Sequence, residues 1–183
     1  MSTLHVAIEG VGLWAPQAIG FDGLLQLLAG TEAPLPPPRP QAARLPANER
    51  RRAPESVLLA AEVAGQAVAM SGREAAELAC VFCSSHGDQG ITDYMCSTLA
   101  TAPNELSPTR FHNSVHNAPV GYWTIATGCH AASTAISAHR QSFGGGLLEA
   151  ASLVAADGVP VLLVCSDVAS NGPLAEMTGC TLA

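Results

Sequence analysis

The residues "ISAHRQSFGGGLLEAA" at positions 136 to 151 read as a short strand, a sharp bend and a glycine-rich helix. A strand that turns into a helix collects free backbone N–H groups and the positive end of the helix dipole at the bend. Enzymes that attack acyl groups place a nucleophile there, because the same environment depresses a thiol pKa. Here the bend carries Arg140 and Gln141 instead of cysteine. A cation at a helix N-terminus is unfavourable by roughly 0.3–1 kcal/mol, so Arg140 requires a partner or must point away from the axis. Gly144, Gly145 and Gly146 each cost about 1 kcal/mol relative to alanine inside a helix. Either another part of the chain approaches closely there, or the helix starts late, near Leu147, and the glycines form a loop.

Other residue sets invite chemistry and support it less well. Cys80 and Cys83 have C-x-x-C spacing but lie within a stretch that reads as a strand, where side chains three apart face opposite ways. No second pair follows at zinc spacing, so buried structural thiols are the expectation and no metal site is assigned. His112 and His116 precede the next helix, which removes the helical geometry a shared metal would need. Cys129 and His130 are adjacent on extended chain and cannot face each other. An independent acyltransferase or hydrolase using Ser142 or Cys129 is the alternative reading, but neither position has an obvious base.

The elements that must position these residues alternate. Residues 4 to 14 ("LHVAIEGVGLW") read as a strand running into a turn. Residues 21 to 30 place Leu24, Leu27 and Leu28 on one face and close on Gly30, a short amphipathic helix. The segment at about 33–53 is rich in proline and arginine and reads as a surface excursion, with Arg50, Arg51 and Arg52 on a solvated face. Residues 54 to 72 form an alanine-rich helix with proline near its start and glycine at its end. The apolar run 78 to 85 suits a strand buried on both faces, and 90 to 100 reads as helix. Asn117 followed by Pro119 opens the next helix. Then come a strand at "ASTAISA", the helix of "LLEAASLVAADG" and a buried strand at 160 to 169. The order β, α, α, β, α, α, β, α, β implies an α/β layered sheet covered by helices.

The bulk numbers agree. The 183 residues are 48% hydrophobic, 13% charged and only 4% aromatic, so one domain with a core of small aliphatic side chains is expected. A net charge of −7 argues against nucleic acid as a partner. No stretch has the length and apolarity of a membrane span. The first ten residues lack the pattern of an export signal, which makes a cytoplasmic location and six reduced cysteines the expectation.

Residues 84 to 169 resemble the N-terminal half of β-ketoacyl-acyl-carrier-protein synthases, which have the thiolase-like αβα fold. "SSHGDQGITDYMCSTL" follows that family's glycine-rich turn and helix. "LSPTRFHNSVHNAPVGYWTIATG" follows its "SP" start, its asparagine before a helix (Asn117) and its helix glycine (Gly121), and "STAISAHRQSFGGGLLEAASLVAADG" continues without a gap. The resemblance sets the family's catalytic cysteine on Arg140, with Gln141 one place beyond. It leaves open which of the two occupies that position. The family's two catalytic histidines belong to a C-terminal half not seen in this sequence.

The match therefore implies a non-catalytic subunit. Its pattern is similar to the chain length factors that pair with active ketosynthases in aryl polyene and polyketide biosynthesis. On that resemblance the partner supplies the cysteine and histidines and recruits acyl carrier protein, and no cofactor is called for. This chain would line the acyl tunnel through Ile91, Tyr94, Met95, Thr98 and Leu99. It would meet its partner through the strand Ser133, Thr134, Ala135, Ile136, Ser137 and Ala138, as a heterodimer with the synthase or a homodimer alone.

Overall fold

The computed structural model describes residues 4–170 and 172–175. Its centre is a parallel sheet of β3 (Ala79–Cys83), β4 (Ser133–Ile136) and β5 (Val161–Cys165), in the order β4-β3-β5. The register sets Val81 beside Thr134 on one side and beside Leu163 on the other. β3 is central and buried at all five positions, which explains its unbroken apolar run. Among the described residues β4 and β5 are the outer strands, and β5 buries only alternate residues, Leu162 and Val164. The expectation of a fully buried β5 is corrected on that point: an outer strand has a neighbour on one side only.

Period-two alternation divides the sheet between two helical layers. Cys80, Phe82, Leu162 and Val164 face a core made with α3 (Glu55–Ser71) and α6 (Ala118–Thr127), to which Val57, Leu58, Ala61, Ala64 and Trp123 contribute. The opposite face carries α7 (Ser142–Asp157), which packs on β3 and β5. Gly72, Gly128 and Gly158 stop α3, α6 and α7 in the left-handed conformation, where glycine carries no Cβ penalty. α7 begins at Ser142, so the three glycines are helical and do not form a loop. Gly146 is the one that matters sterically: a Cβ there would lie 2.8 Å from Cys83 Sγ and 3.1 Å from Leu163 Cδ1. It is side chains of the sheet that approach closely.

The N-terminal region differs most from expectation. Residues 4 to 13 form no strand, and β1 (Trp14–Ala15) pairs only with β2 (Ala18–Ile19) before α1 (Gly20–Leu28). Instead the chain lies against α3, where a Cβ on Gly10 or Gly12 would collide with the carbonyls of Ala67 or Val63. Val11 N–H donates to Met70 Sδ and Leu13 N–H to Gln66 Oε1, so side chains take donors that a ladder would have used. The proline-rich excursion is largely exposed, but Ala42, Leu45 and Ala53 anchor it in the core and α2 (Ala47–Arg52) carries the arginine triplet. It is a strap over the surface with buried anchors.

The cysteines also depart from expectation. Cys83 and Cys165 are register partners on adjacent strands, with Cα atoms 4.7 Å apart, and form a disulfide. Two thiols on the same face of neighbouring strands are within bonding reach, a pairing that the sequence spacing of 82 hides. Cys80 and Cys129 remain free and buried, and both direct their thiols at the carbonyl of Leu78. Burial, with Cys129 beside it, pushes the Cys80 thiol up to about 12.

Candidate functional site

The loops after β3, β4 and β5 meet at the carboxyl ends of the strands, where open parallel sheets bind ligands. They are tied together. Asp167 accepts hydrogen bonds from Ser84 Oγ (2.7 Å), Ser85 N (2.8 Å) and Ser85 Oγ (2.7 Å), and Ser137 Oγ donates to Ser85 O (2.8 Å). The result is a cavity of about 190 Å³ lined by Ser85, His86, Gln89, His139, Arg140, Asp167 and Ser170.

The elbow between β4 and α7 forms one wall. A single turn of 3-10 helix, His139–Gln141, carries the chain into α7. His139 has φ +50, a left-handed conformation that only a few per cent of non-glycine residues adopt. Ser142 braces this bend: its Oγ accepts from Ala138 N at 3.0 Å and donates to His139 O at 2.7 Å. Backbone strain held by its surroundings is typical of functional turns. The strained apex is thus His139, with Arg140 and Gln141 following on the helical side. No pattern in the sequence marked His139, because strain at one residue is set by the neighbours that brace it.

Neither residue of the alternative reading is poised as a nucleophile. Ser142 is buried with its hydroxyl proton committed to a carbonyl, and Cys129 is buried with its thiol on Leu78 O. Among the described residues no group of histidine, cysteine and carboxylate side chains has metal-binding geometry. His112 packs edge-on to Tyr122, and His116 lines a separate small cavity with Asn113 and Pro119.

α4 (Gln89–Thr101) starts at Asp88, whose carboxylate accepts from Ile91 N at 2.9 Å. Ile91 is buried, Tyr94, Met95 and Thr98 are half-buried, and Leu99 is exposed. These residues therefore grade from core to surface. Tyr94 is held on two sides: its hydroxyl accepts from Ser107 N at 3.0 Å, and the Arg110 guanidinium from α5 (Pro108–His112) lies 4.0 Å from the ring centroid. β4 is exposed at Ser133 and half-buried at Thr134, Ala135 and Ile136, with its outer edge open among the described residues.

A parallel αβα unit with a strained elbow at the carboxyl ends of its strands defines the thiolase-like class. Residues 27–179 match the β-ketoacyl synthase N-terminal domain, and the chain belongs to that family. No curated protein matches the sequence. Solved structures extend the likeness. A ketosynthase (ApeO) in complex with its chain length factor (ApeC) from Xenorhabdus doucetiae matches with a TM-score of 0.72 and 26% identity, over 91% of this chain and 70% of that one. A type II polyketide synthase acyl carrier protein in complex with its hexaketide-bound ketosynthase (AntDE:AntF) matches with a TM-score of 0.70 and 17% identity, over 95% and 53%. A β-ketoacyl synthase from Burkholderia phymatum STM815 matches with a TM-score of 0.68 and 15% identity, over 85% and 44%. The chain thus spans from under half to about two thirds of these proteins, and the last two likenesses speak for the fold alone.

Proposed function

We propose that this chain is a non-catalytic ketosynthase-like subunit of the chain-length-factor type, which pairs with an active β-ketoacyl synthase and shapes its acyl or polyene tunnel. The observation that carries this reading is the elbow. Its backbone is strained at His139 and braced by Ser142, and the residues at the bend, His139, Arg140 and Gln141, include no acyl-accepting thiol. The nearby Cys83 is bonded to Cys165 and cannot substitute. The likeness to a ketosynthase and chain-length-factor complex supports a heterodimer of the same kind.

On this reading the chain is one cytoplasmic domain, and its contact runs through residues 133–138, whose open strand edge calls for a partner. Acyl carrier protein reaches the assembly through the catalytic subunit. The face of Ile91, Tyr94, Met95, Thr98 and Leu99 meets the growing chain, and the isolated protein forms a homodimer. Among the described residues no helix is long and apolar enough to cross a membrane. Co-expression with a ketosynthase from the same gene neighbourhood tests the pairing. Co-purification at equal stoichiometry, lost on replacing Ala135 by Asp, supports it; a monodisperse monomer with and without that synthase refutes it.

A further inference from the structure

On the proposed reading the elbow cavity lacks a nucleophile, yet its lining is not inert. Arg140 lines it and, among the described residues, takes part in no ion pair; Arg73 with Glu9 is the pair that forms. The carboxylate that shares the cavity, Asp167, is already engaged by three donors from Ser84 and Ser85. Arg140 also precedes the N-terminus of α7, a helix of 16 residues whose dipole adds positive potential. Among the described residues, Arg140 therefore brings an unpaired cation to a concavity whose own carboxylate, Asp167, is taken up by serine donors.

Further polar groups surround the same space. His86 and His139 meet edge-on with ring centroids 5.1 Å apart, and both line the cavity. In the wall behind them Gln89 Oε1 and Ser170 Oγ are buried and, among the described residues, have no hydrogen-bond partner. Buried polar atoms are nearly always satisfied, so these two oxygens are left to water or to a group that enters the cavity. A turn of the Ser170 hydroxyl, or exchange of the Gln89 amide ends, would supply donors to the cavity. The left-handed backbone at His139 holds that imidazole on the rim at a cost in strain.

We propose that the cavity at the carboxyl ends of β3, β4 and β5 is a binding site for a small oxyanion, a carboxylate or phosphate group, held by Arg140 together with His139 and His86. Arg140 supplies the fixed charge and a planar fork of donors that suits either group. The imidazoles of His86 and His139, both in the lining, add donors beside it. The site needs no ketosynthase partner, so it stands or falls separately from the pairing above.

Titration of the full chain with inorganic phosphate and with succinate, followed by calorimetry and by the imidazole resonances of His86 and His139, tests this. Saturable binding of either anion at millimolar or lower concentration is expected, with both imidazoles shifting. Phosphate alone identifies a phosphate site, succinate alone a carboxylate site, and both a general oxyanion site. Arg140→Gln, an exposed change, should weaken binding by roughly tenfold. His139→Gly should weaken it several-fold without lowering the melting temperature, because glycine accepts φ +50. Absence of saturable binding, equal binding of the neutral dimethyl succinate, or unchanged affinity in Arg140→Gln would each overturn the proposal.

Discussion

Gly146 is where the fold and the elbow constrain each other most tightly, and replacing it by alanine isolates that constraint. In a helix interior the exchange is worth about 1 kcal/mol in favour of alanine. At this position the new methyl meets Cys83 Sγ at 2.8 Å and Leu163 Cδ1 at 3.1 Å. Leu163 can turn its methyl away, but Cys83 is bonded to Cys165 and cannot. Overpacking of this kind costs typically 1–3 kcal/mol, because α7 must lift from the sheet. Gly145 is the matched control: a Cβ there makes ordinary contacts, 3.7 Å to Ala138 Cβ and 3.9 Å to Ile136 Cγ2. The helix-propensity gain is common to both variants and cancels between them. Gly145→Ala should therefore be the more stable by about 2 kcal/mol, or roughly 4–8 °C in melting temperature. Calorimetric melts of both variants, with and without reductant, measure this. Reduction frees Cys83 Sγ to rotate, so the gap between the variants should narrow. Equal stability of the two variants under oxidising conditions would show that Gly146 meets no fixed neighbour at Cys83.

Three further outcomes follow from the same geometry. The Cys80 thiol is held near 12 against an ordinary value of 9, so the native state keeps its proton where the unfolded chain loses it. Stability should fall as pH rises from 9 towards 12, by about 4 kcal/mol in all, and a Cys80→Ala variant in alkaline denaturant titrations should lack that slope. Tyr94→Ala, assayed in the complex with a ketosynthase, should shift products longer by at least one extension unit, whereas Tyr94→Phe, which keeps the ring, should not. The same product length from a folded Tyr94→Ala complex removes Tyr94 as the stop. Because the strained apex is His139 while the family resemblance favours Arg140, His139→Cys and Arg140→Cys should be compared for uptake of an acyl thioester. Arg140→Cys is expected to gain the acyl group, without condensation. Uptake by His139→Cys alone would move the nucleophile position by one residue.

The parts of the fold that were legible in the sequence are those fixed by local chemistry. α3, α6 and α7 are long, apolar and closed by glycines, and β3 is a central strand whose apolar run has no other use. What the sequence hid depends on contacts between distant segments. The alternation at residues 4 to 14 imitates a strand, but Gly10 and Gly12 settle against α3 and the backbone donors go to Met70 and Gln66. The Cys83–Cys165 pair exists only once β3 and β5 are in register. Within the site, Arg140 and Gln141 are legible because the family resemblance sets the catalytic cysteine there and neither side chain is a thiol. His139 did not, because its conformation is imposed by the Ser142 brace rather than by its own identity.

The claim that the elbow persists without its chemistry is tested most directly by intact mass spectrometry of the pure, full chain after incubation with a short acyl thioester and with an active ketosynthase present. The acyl mass should appear on the ketosynthase, and this chain should gain none. A stable acyl adduct on this chain, mapped to His139, Ser142 or Cys129, would contradict it.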